Sequence, residues 1–108
     1  MKPIEWRPSA EHDVAEAAYW YARRGGLVLG ERFLAAVDAV LAQFSEFPSS
    51  GSLRHADVVD GASGPLRFSV VSDFDRYLVY YLDLPSCIQV VRVWDASRGL
   101  DDLLGTDE

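Results

Sequence analysis

The sequence predicts an α+β domain in which a helical hairpin packs on one face of a small antiparallel β-sheet, in the order (β)ααβββ. Residues 9–48 hold two amphipathic helical patterns separated by a glycine-rich linker. Three apolar runs rich in β-branched and aromatic residues follow, joined by short polar turns. The length of 108 residues suits one domain. We therefore expect residues 1–108 to form a single domain, with residues 101–108 as a short acidic tail that frays.

The N-terminal residues predict a short strand and a first helix. The stretch KPIEW forms the strand, and RPS ends it. Ser9 is the expected N-cap, because a serine side chain can accept a hydrogen bond from the first helical turn. Gly25 and Gly26 end the helix. Its apolar face is spaced at i, i+3, i+4 and i+7 by Val14, Ala17, Ala18 and Tyr21, and Arg23 and Arg24 lie in its last turn.

A second helix is expected to begin around Glu31, after the linker GGLVLG, and to end at Pro48. Two helices joined by so short a linker form an antiparallel hairpin. The next segment, residues 49–65, is rich in Ser, Gly and Asp and is predicted to be a loop. The buried stripe of the second helix is expected to comprise Phe33, Val37, Val40, Leu41, Phe44 and Phe47.

Three strands are expected over residues 66–71, 76–82 and 88–94. Side chains alternate between the two faces of a sheet. In the last strand this alternation groups Arg92 and Trp94 with Ile88 and Val90. Both faces of the sheet are apolar, whereas the helices can cover only one. The second face is therefore expected to be open for interactions.

Composition and charge limit the function classes. The net charge is −7, and the last ten residues hold four acidic and no basic side chains. An acidic chain is unlike a protein that depends on phosphate contacts, so we expect no direct DNA binding by this chain alone. No apolar run is long enough to span a bilayer, and the first ten residues hold no hydrophobic signal segment, so no membrane partner is expected. The single cysteine, Cys87, is interpreted as structural and fits a reducing, cytoplasmic location.

The sequence has no pattern typical of a metal or cofactor site. His12, His55 and Cys87 show no metal-ligand spacing. The glycines of GGLVLG lack the strand and the lysine of a phosphate-binding loop. We therefore expect no metal and no cofactor. The remaining candidates for binding are arginines and aromatic residues of the sheet region: Arg67, Arg76, Tyr77, Tyr80, Arg92, Trp94 and Arg98.

The order of these features resembles the RelE/ParE superfamily of type II toxin–antitoxin toxins, which are bacterial growth inhibitors. The resemblance spans about Trp6 to Leu104 and rests on the proline-ended second helix FSEFPSSG, the strand YLVYY and the closing segment RVWDASR. It matches Arg67 to an arginine early in the first core strand of the family. It matches Arg92–Arg98 to the family pattern R-V-x-H-x-x-R. The family histidine is replaced here by Asp95.

The resemblance implies one leading function and two alternatives. Aspartate does not perform the proton chemistry of histidine at neutral pH without a large pKa shift. The lysines of RelE-type ribosome-dependent mRNA endonucleases are missing from the sheet region, and their tyrosine beyond the last strand is missing too. The ParE-like branch, which inhibits DNA gyrase by binding it, is therefore favoured, and the chain is more consistent with a non-enzyme. In the endoribonuclease alternative Arg67, Arg92 and Arg98 would be catalytic, whereas a degenerate member would only bind antitoxin.

The resemblance also implies partners. A cognate antitoxin would wrap across the toxin and form a hetero-oligomer with it. Its acidic residues would be directed at Arg67, Arg76 or Arg98. The second partner would be DNA gyrase, or the ribosome in the endonuclease alternative.

Overall fold

A computed structural model describes residues 1–53, 65–99 and 103. The predicted element order is confirmed. Strand β1 (Ile4–Trp6) precedes helices α1 (Pro8–Gly25) and α2 (Leu27–Glu46), and strands β2 (Arg67–Val71), β3 (Phe74–Asp83) and β4 (Ile88–Asp95) follow. One 3₁₀ turn, Ala96–Arg98, comes after β4. Residues 54–64 of the predicted loop lie outside the described residues.

The four strands form one sheet in the order β1-β4-β3-β2. Strands β2, β3 and β4 are an antiparallel meander, as predicted. Strand β1 instead pairs parallel to β4, from Ile4 opposite Ile88 to Trp6 opposite Val90. The sheet is therefore mixed rather than wholly antiparallel. The helical hairpin between β1 and the meander is what allows β1 to run parallel to β4, because parallel neighbours require a long crossover connection.

The helical hairpin differs from the prediction at both helix starts. Helix α1 begins with Pro8 in its first turn, and the N-cap is Arg7, so the expected Ser9 cap is wrong. Proline is well suited to this position because its φ is already helical and its missing N–H would have no partner there. Helix α2 begins at Leu27, four residues earlier than predicted. The connection is Gly26 alone, whose φ of 92° favours glycine.

The apolar faces of both helices are largely as predicted. Ala17 is buried in α1, and Val14, Ala18 and Tyr21 pack against the same core. The predicted α2 stripe is buried except for Phe47, which is 61% exposed because the helix ends at Glu46. The buried members are Phe33, Val37, Val40, Leu41 and Phe44.

A β-bulge in β4 changes which side chains share a face. Tyr80 pairs with Arg92 and Tyr81 with Val90, so Val91 is an extra residue without a cross-strand partner. Beyond the bulge the alternation is reversed. Val90 and Val93 therefore lie in the helix-facing core, whereas Val91 and Trp94 lie in the cluster on the opposite face. The predicted grouping of Arg92 and Trp94 with Ile88 and Val90 is wrong.

The second face of the sheet is not open, which corrects the expectation of an exposed apolar surface. Its side chains form a second buried cluster in which none is more than 8% exposed. Leu103, from the predicted acidic tail, is fully buried there, whereas the other residues of 101–108 lie outside the described ones. The members are Leu66, Phe68, Tyr80, Leu82, Val91, Trp94 and Leu103. The molecule thus has one core on each side of the sheet.

Candidate functional site

A groove of about 580 Å³ lies between α1 and the end of the sheet where β3 begins and β4 ends. We call it the arginine groove. This volume is within the range of ligand-binding sites. Four arginines and three carboxylates contribute its charges, although the chain as a whole is acidic. The lining residues are Asp13, Glu16, Ala17, Tyr19, Trp20, Arg23, Arg24, Arg76, Tyr77, Val93, Asp95 and Arg98.

Trp20 orients two of these arginines. The guanidinium carbon of Arg24 lies 4.6 Å from the centroid of the Trp20 ring, and that of Arg76 lies 5.3 Å from it. Both distances are in the range of cation–π interactions. Arg23 has a similar contact with Tyr19 at 5.7 Å and donates a hydrogen bond to its hydroxyl oxygen at 3.2 Å. The aromatic side chains of α1 therefore fix the positions of arginines without neutralising their charge.

Asp95, the last residue of β4, links that strand to Arg76 of β3 in the groove. Its Oδ2 accepts a hydrogen bond from Nε of Arg76 at 3.1 Å, and its Oδ1 accepts from the backbone N–H and the hydroxyl of Ser97. Burial raises the pKa of Asp95, but these hydrogen bonds and the charge of Arg76 outweigh it and hold the pKa below its ordinary value. Asp95 is thus an anion at neutral pH and caps the 3₁₀ turn that carries Arg98.

Arg98 is displayed at the end of β4. It is exposed, and its guanidinium carbon lies 4.2 Å from the centroid of the Trp94 ring. Trp94 is only 1% exposed, and its indole N–H donates to the carbonyl of Gly99. A buried tryptophan therefore holds an exposed arginine in the groove.

Arg92 has a different environment. Its side chain is 6% exposed and donates from Nε and Nη2 to the two carboxylate oxygens of Asp13, at 2.7 and 2.8 Å. It also donates to the carbonyl of Leu103 at 3.1 Å. Asp13 in turn accepts from the backbone N–H of Val93. This bidentate ion pair joins α1 to β4 and leaves Arg92 buried below the surface.

Arg67 and Tyr80 lie outside the groove. Arg67 is on β2 and donates to the backbone carbonyls of Ser49 and Gly51, both at 3.1 Å. Tyr80 is fully buried on the second face of the sheet, and burial raises its pKa. Among the sequence-predicted site residues, the groove brings together Arg76, Tyr77 and Arg98, with Trp94 directly beside Arg98.

Helix α1 contributes side chains to this site that were not among the sequence-predicted site residues. Tyr19 and Trp20 are 64% and 37% exposed, and with Arg23 and Arg24 they form one wall of the groove. A signal was present, because both aromatic side chains fall outside the apolar stripe of the helix. Large aromatic residues on the solvent side of an amphipathic helix are a reason to expect an interaction surface.

No group of three or more His, Cys, Asp or Glu side chains within the described residues is arranged to hold a metal ion. Cys87 is 5% exposed, and burial together with nearby Glu5 raises its thiol pKa. Of the helices in the described part of the chain, none combines the length and hydropathy needed to cross a membrane.

Ten chains of solved structures match the fold. One of them, from the chromosomal ParDE toxin–antitoxin system of P. aeruginosa, superposes with a TM-score of 0.69 at 15% identity, covering 86% of this chain and 94% of its own. At that identity the match shows the fold alone. No curated protein matches the sequence.

A family model described as "ParE toxin of type II toxin-antitoxin system, parDE" matches residues 4–100. This match covers most of the chain and defines the class as the toxin component of a type II toxin–antitoxin system. The chain belongs to the ParE toxin family. The sequence-based resemblance is thereby confirmed, including the ParE-like branch.

Proposed function

We propose that this toxin stops bacterial growth by binding an essential target protein, DNA gyrase, and that a cognate antitoxin neutralises it in a toxin–antitoxin hetero-oligomer. Both events would take place in the cytoplasm. This proposal describes a binding protein rather than a hydrolase.

The observation that carries the proposal is the environment of Asp95. RNA cleavage through a 2′-hydroxyl requires a general base and a general acid near the phosphate. The lowered pKa makes Asp95 a poor proton donor, and both its oxygens already accept hydrogen bonds from Arg76 and Ser97. Asp95, at the position of the family histidine, therefore has a structural and electrostatic role here.

The positions of the arginines also favour binding over the endoribonuclease alternative. Phosphate stabilisation needs cationic groups that converge on one point. Arg92 is buried against Asp13, whereas Arg67 lies on β2 and donates to backbone carbonyls. Arg98 lies in the turn after β4 and is exposed over Trp94. Only Arg98 of the three lines the groove.

The test is growth of bacteria after tightly controlled induction of the toxin alone, with Arg98→Ala and Arg32→Ala strains beside it. Arg32 is exposed on α2 and does not line the groove, so it controls for the loss of one positive charge. We expect the parent and Arg32→Ala to stop growth and Arg98→Ala to restore it at equal soluble protein.

The target is then identified in two assays. Purified toxin should inhibit supercoiling of relaxed plasmid by purified gyrase, while messenger RNA in a translating extract stays intact. Cleaved messenger RNA with unaffected supercoiling would favour the endoribonuclease. Normal growth with folded protein present would favour the degenerate member that only binds antitoxin.

A further inference from the structure

The turn after β4, residues 95–99, is closed at both ends by side chains of that strand, and we call it the display turn. At its start, Oδ1 of Asp95 accepts hydrogen bonds from the backbone N–H of Ser97 at 3.0 Å and from its hydroxyl at 2.8 Å. At its end, the indole N–H of Trp94 donates to the carbonyl oxygen of Gly99 at 2.5 Å. Two neighbouring side chains therefore hold the two ends of the turn.

The backbone of the display turn depends on these contacts. Its centre is one 3₁₀ turn, Ala96–Arg98, and a helical segment this short is not stable by itself in water. Gly99 has a φ of 73°, a conformation that favours glycine. A Cβ atom built on Gly99 would meet no other atom within 4 Å, so only the backbone conformation, and not the available space, restricts this position.

Trp94 also fixes the side chain that the display turn carries. The guanidinium carbon of Arg98 lies 4.2 Å from the centroid of the Trp94 ring, and that of the buried Arg92 lies 4.6 Å from it. The ring is itself immobilised, because Trp94 is 1% exposed within the second core. A cation held in one orientation before its partner arrives loses less conformational freedom on binding.

We propose that Asp95 and Trp94 are positioning residues of this toxin, which hold Arg98 in the orientation in which it contacts the target. Asp95 fixes the backbone of the display turn by accepting from Ser97, and Trp94 fixes the guanidinium. The inference rests on the proposed function, because it takes Arg98 as part of the surface that binds the target. It assigns to the residue at the family histidine position a role that needs an acceptor and no proton transfer.

Asp95 has a second contact from which this role must be separated. Its Oδ2 accepts from Nε of Arg76 at 3.1 Å, and the side chain of Arg76 is 50% exposed. An ion pair exposed to this extent contributes little. Asp95→Asn keeps a carbonyl oxygen for the N–H of Ser97 and removes the charge, whereas Asp95→Ala removes both. The two substitutions therefore distinguish capping of the turn from pairing with Arg76.

The first measurement is NMR of the whole purified protein. Protons over the face of an aromatic ring resonate upfield, so the side-chain protons of Arg98 report its contact with Trp94. We expect Asp95→Asn to retain this upfield shift and Asp95→Ala to lose most of it, since removal of an N-cap acceptor lowers the population of the capped turn about fivefold. Gly99→Ala should also lose it, because alanine disfavours the positive φ.

The second measurement is inhibition of gyrase supercoiling and of bacterial growth by the same variants. Asp95→Ala and Gly99→Ala should require about fivefold more toxin than the parent, whereas Asp95→Asn should stay within about twofold. Asp38→Ala removes a carboxylate at an exposed position of α2 outside the groove and should match the parent in both measurements. Circular dichroism establishes that each variant is folded. Gly99→Ala opens the turn with all side chains of β4 in place, so the test does not depend on the folding of Asp95→Ala.

Unchanged Arg98 shifts in Asp95→Ala and Gly99→Ala would overturn the proposal, and so would full activity of these variants after the shift is lost. Loss of activity in Asp95→Asn with the shift retained would assign the role to the pair with Arg76 instead. A parent protein that neither arrests growth nor inhibits gyrase would refute the proposed function. The NMR shifts would still decide whether Asp95 and Trp94 position Arg98, so the two failures are distinguishable.

Discussion

Two arginines on the last strand and its following turn have the same chemistry and opposite environments. Arg92 donates two hydrogen bonds to Asp13 and has a side chain only 6% exposed, whereas Arg98 is exposed over Trp94. Burial of a charged pair is costly unless the pair is well hydrogen-bonded. The Asp13–Arg92 pair meets that condition and therefore holds α1 against β4.

Removal of Asp13 should therefore be strongly destabilising. We expect Asp13→Ala to lower the free energy of unfolding by about 3–5 kcal/mol, because Arg92 loses its carboxylate while buried and the N–H of Val93 loses an acceptor. Urea denaturation followed by tryptophan fluorescence measures this. The exposed Asp38→Ala should change stability by less than about 0.5 kcal/mol. A loss of less than about 1 kcal/mol in the free energy of unfolding of Asp13→Ala would show that the ion pair does not hold α1 against β4.

At the scale of elements, the two helices approach each other closely at Gly30. A Cβ atom built on this residue would lie 2.9 Å from the carbonyl oxygen of Ala18 and 3.1 Å from Cβ of Ala22. The neighbouring atoms belong to the α1 backbone and to a side chain with no freedom to move away. Gly30 is thus required by the contact between helices rather than by its own backbone conformation.

This contact reverses the usual effect of replacing a helical glycine. Alanine gains about 1 kcal/mol of helix propensity over glycine. We expect Gly30→Ala nevertheless to destabilise the protein by about 1–3 kcal/mol, because the added methyl forces α1 and α2 apart. Thermal unfolding followed by circular dichroism measures the change. Ala35→Gly at an exposed position of α2 controls for propensity and should cost about 1 kcal/mol. An increase in stability for Gly30→Ala would refute the contact.

At the scale of the whole molecule, the sheet separates two hydrophobic cores. The helices cover one face, and a second cluster that includes Trp94 and Leu103 is buried on the other. Trp94 belongs to this second core and also contacts Arg98. The stability of the second core and the position of Arg98 in the groove are therefore coupled.

Truncation of Leu103 tests how much the second core contributes to stability. We expect Leu103→Ala to cost about 2–5 kcal/mol, since a fully buried leucine leaves a cavity when it is truncated. The hydrogen bond from Arg92 to the Leu103 backbone is retained in this variant. Chemical denaturation measures the loss, and Leu53→Ala, at a position 44% exposed, should cost less than about 1 kcal/mol. Equal costs for the two variants would mean that Leu103 is not part of a core.

Local sequence patterns determined the helix and strand order. The periodicity of Val14, Ala17, Ala18 and Tyr21 predicts the buried face of α1, because side chains three and four residues apart share one side of a helix. The two turns of the meander were predicted in the same way, from short polar connections between apolar runs, although β3 begins at Phe74, inside the connection predicted at residues 72–75. The position of Arg98 past the last strand was also visible in the sequence.

Other features depend on residues far apart in the chain. The pairing of Ile4 with Ile88 and the ion pair between Asp13 and Arg92 join segments about 80 residues apart, which no local pattern encodes. The bulge at Val91 likewise depends on the register of β3 against β4. One extra residue there reverses the alternation of side chains, because the period of a strand is two.

The sequence by itself therefore determined the order of elements, the helix faces, the family and the display of Arg98, since each depends on residues close together in the chain. Only the tertiary structure decided that β1 is parallel, that Arg92 is buried and that the second face of the sheet is covered. It also decided that α1 supplies Trp20 and Arg24 to the groove. The physical reason is that burial and pairing arise from contacts between distant segments, whereas propensity and periodicity arise within one segment.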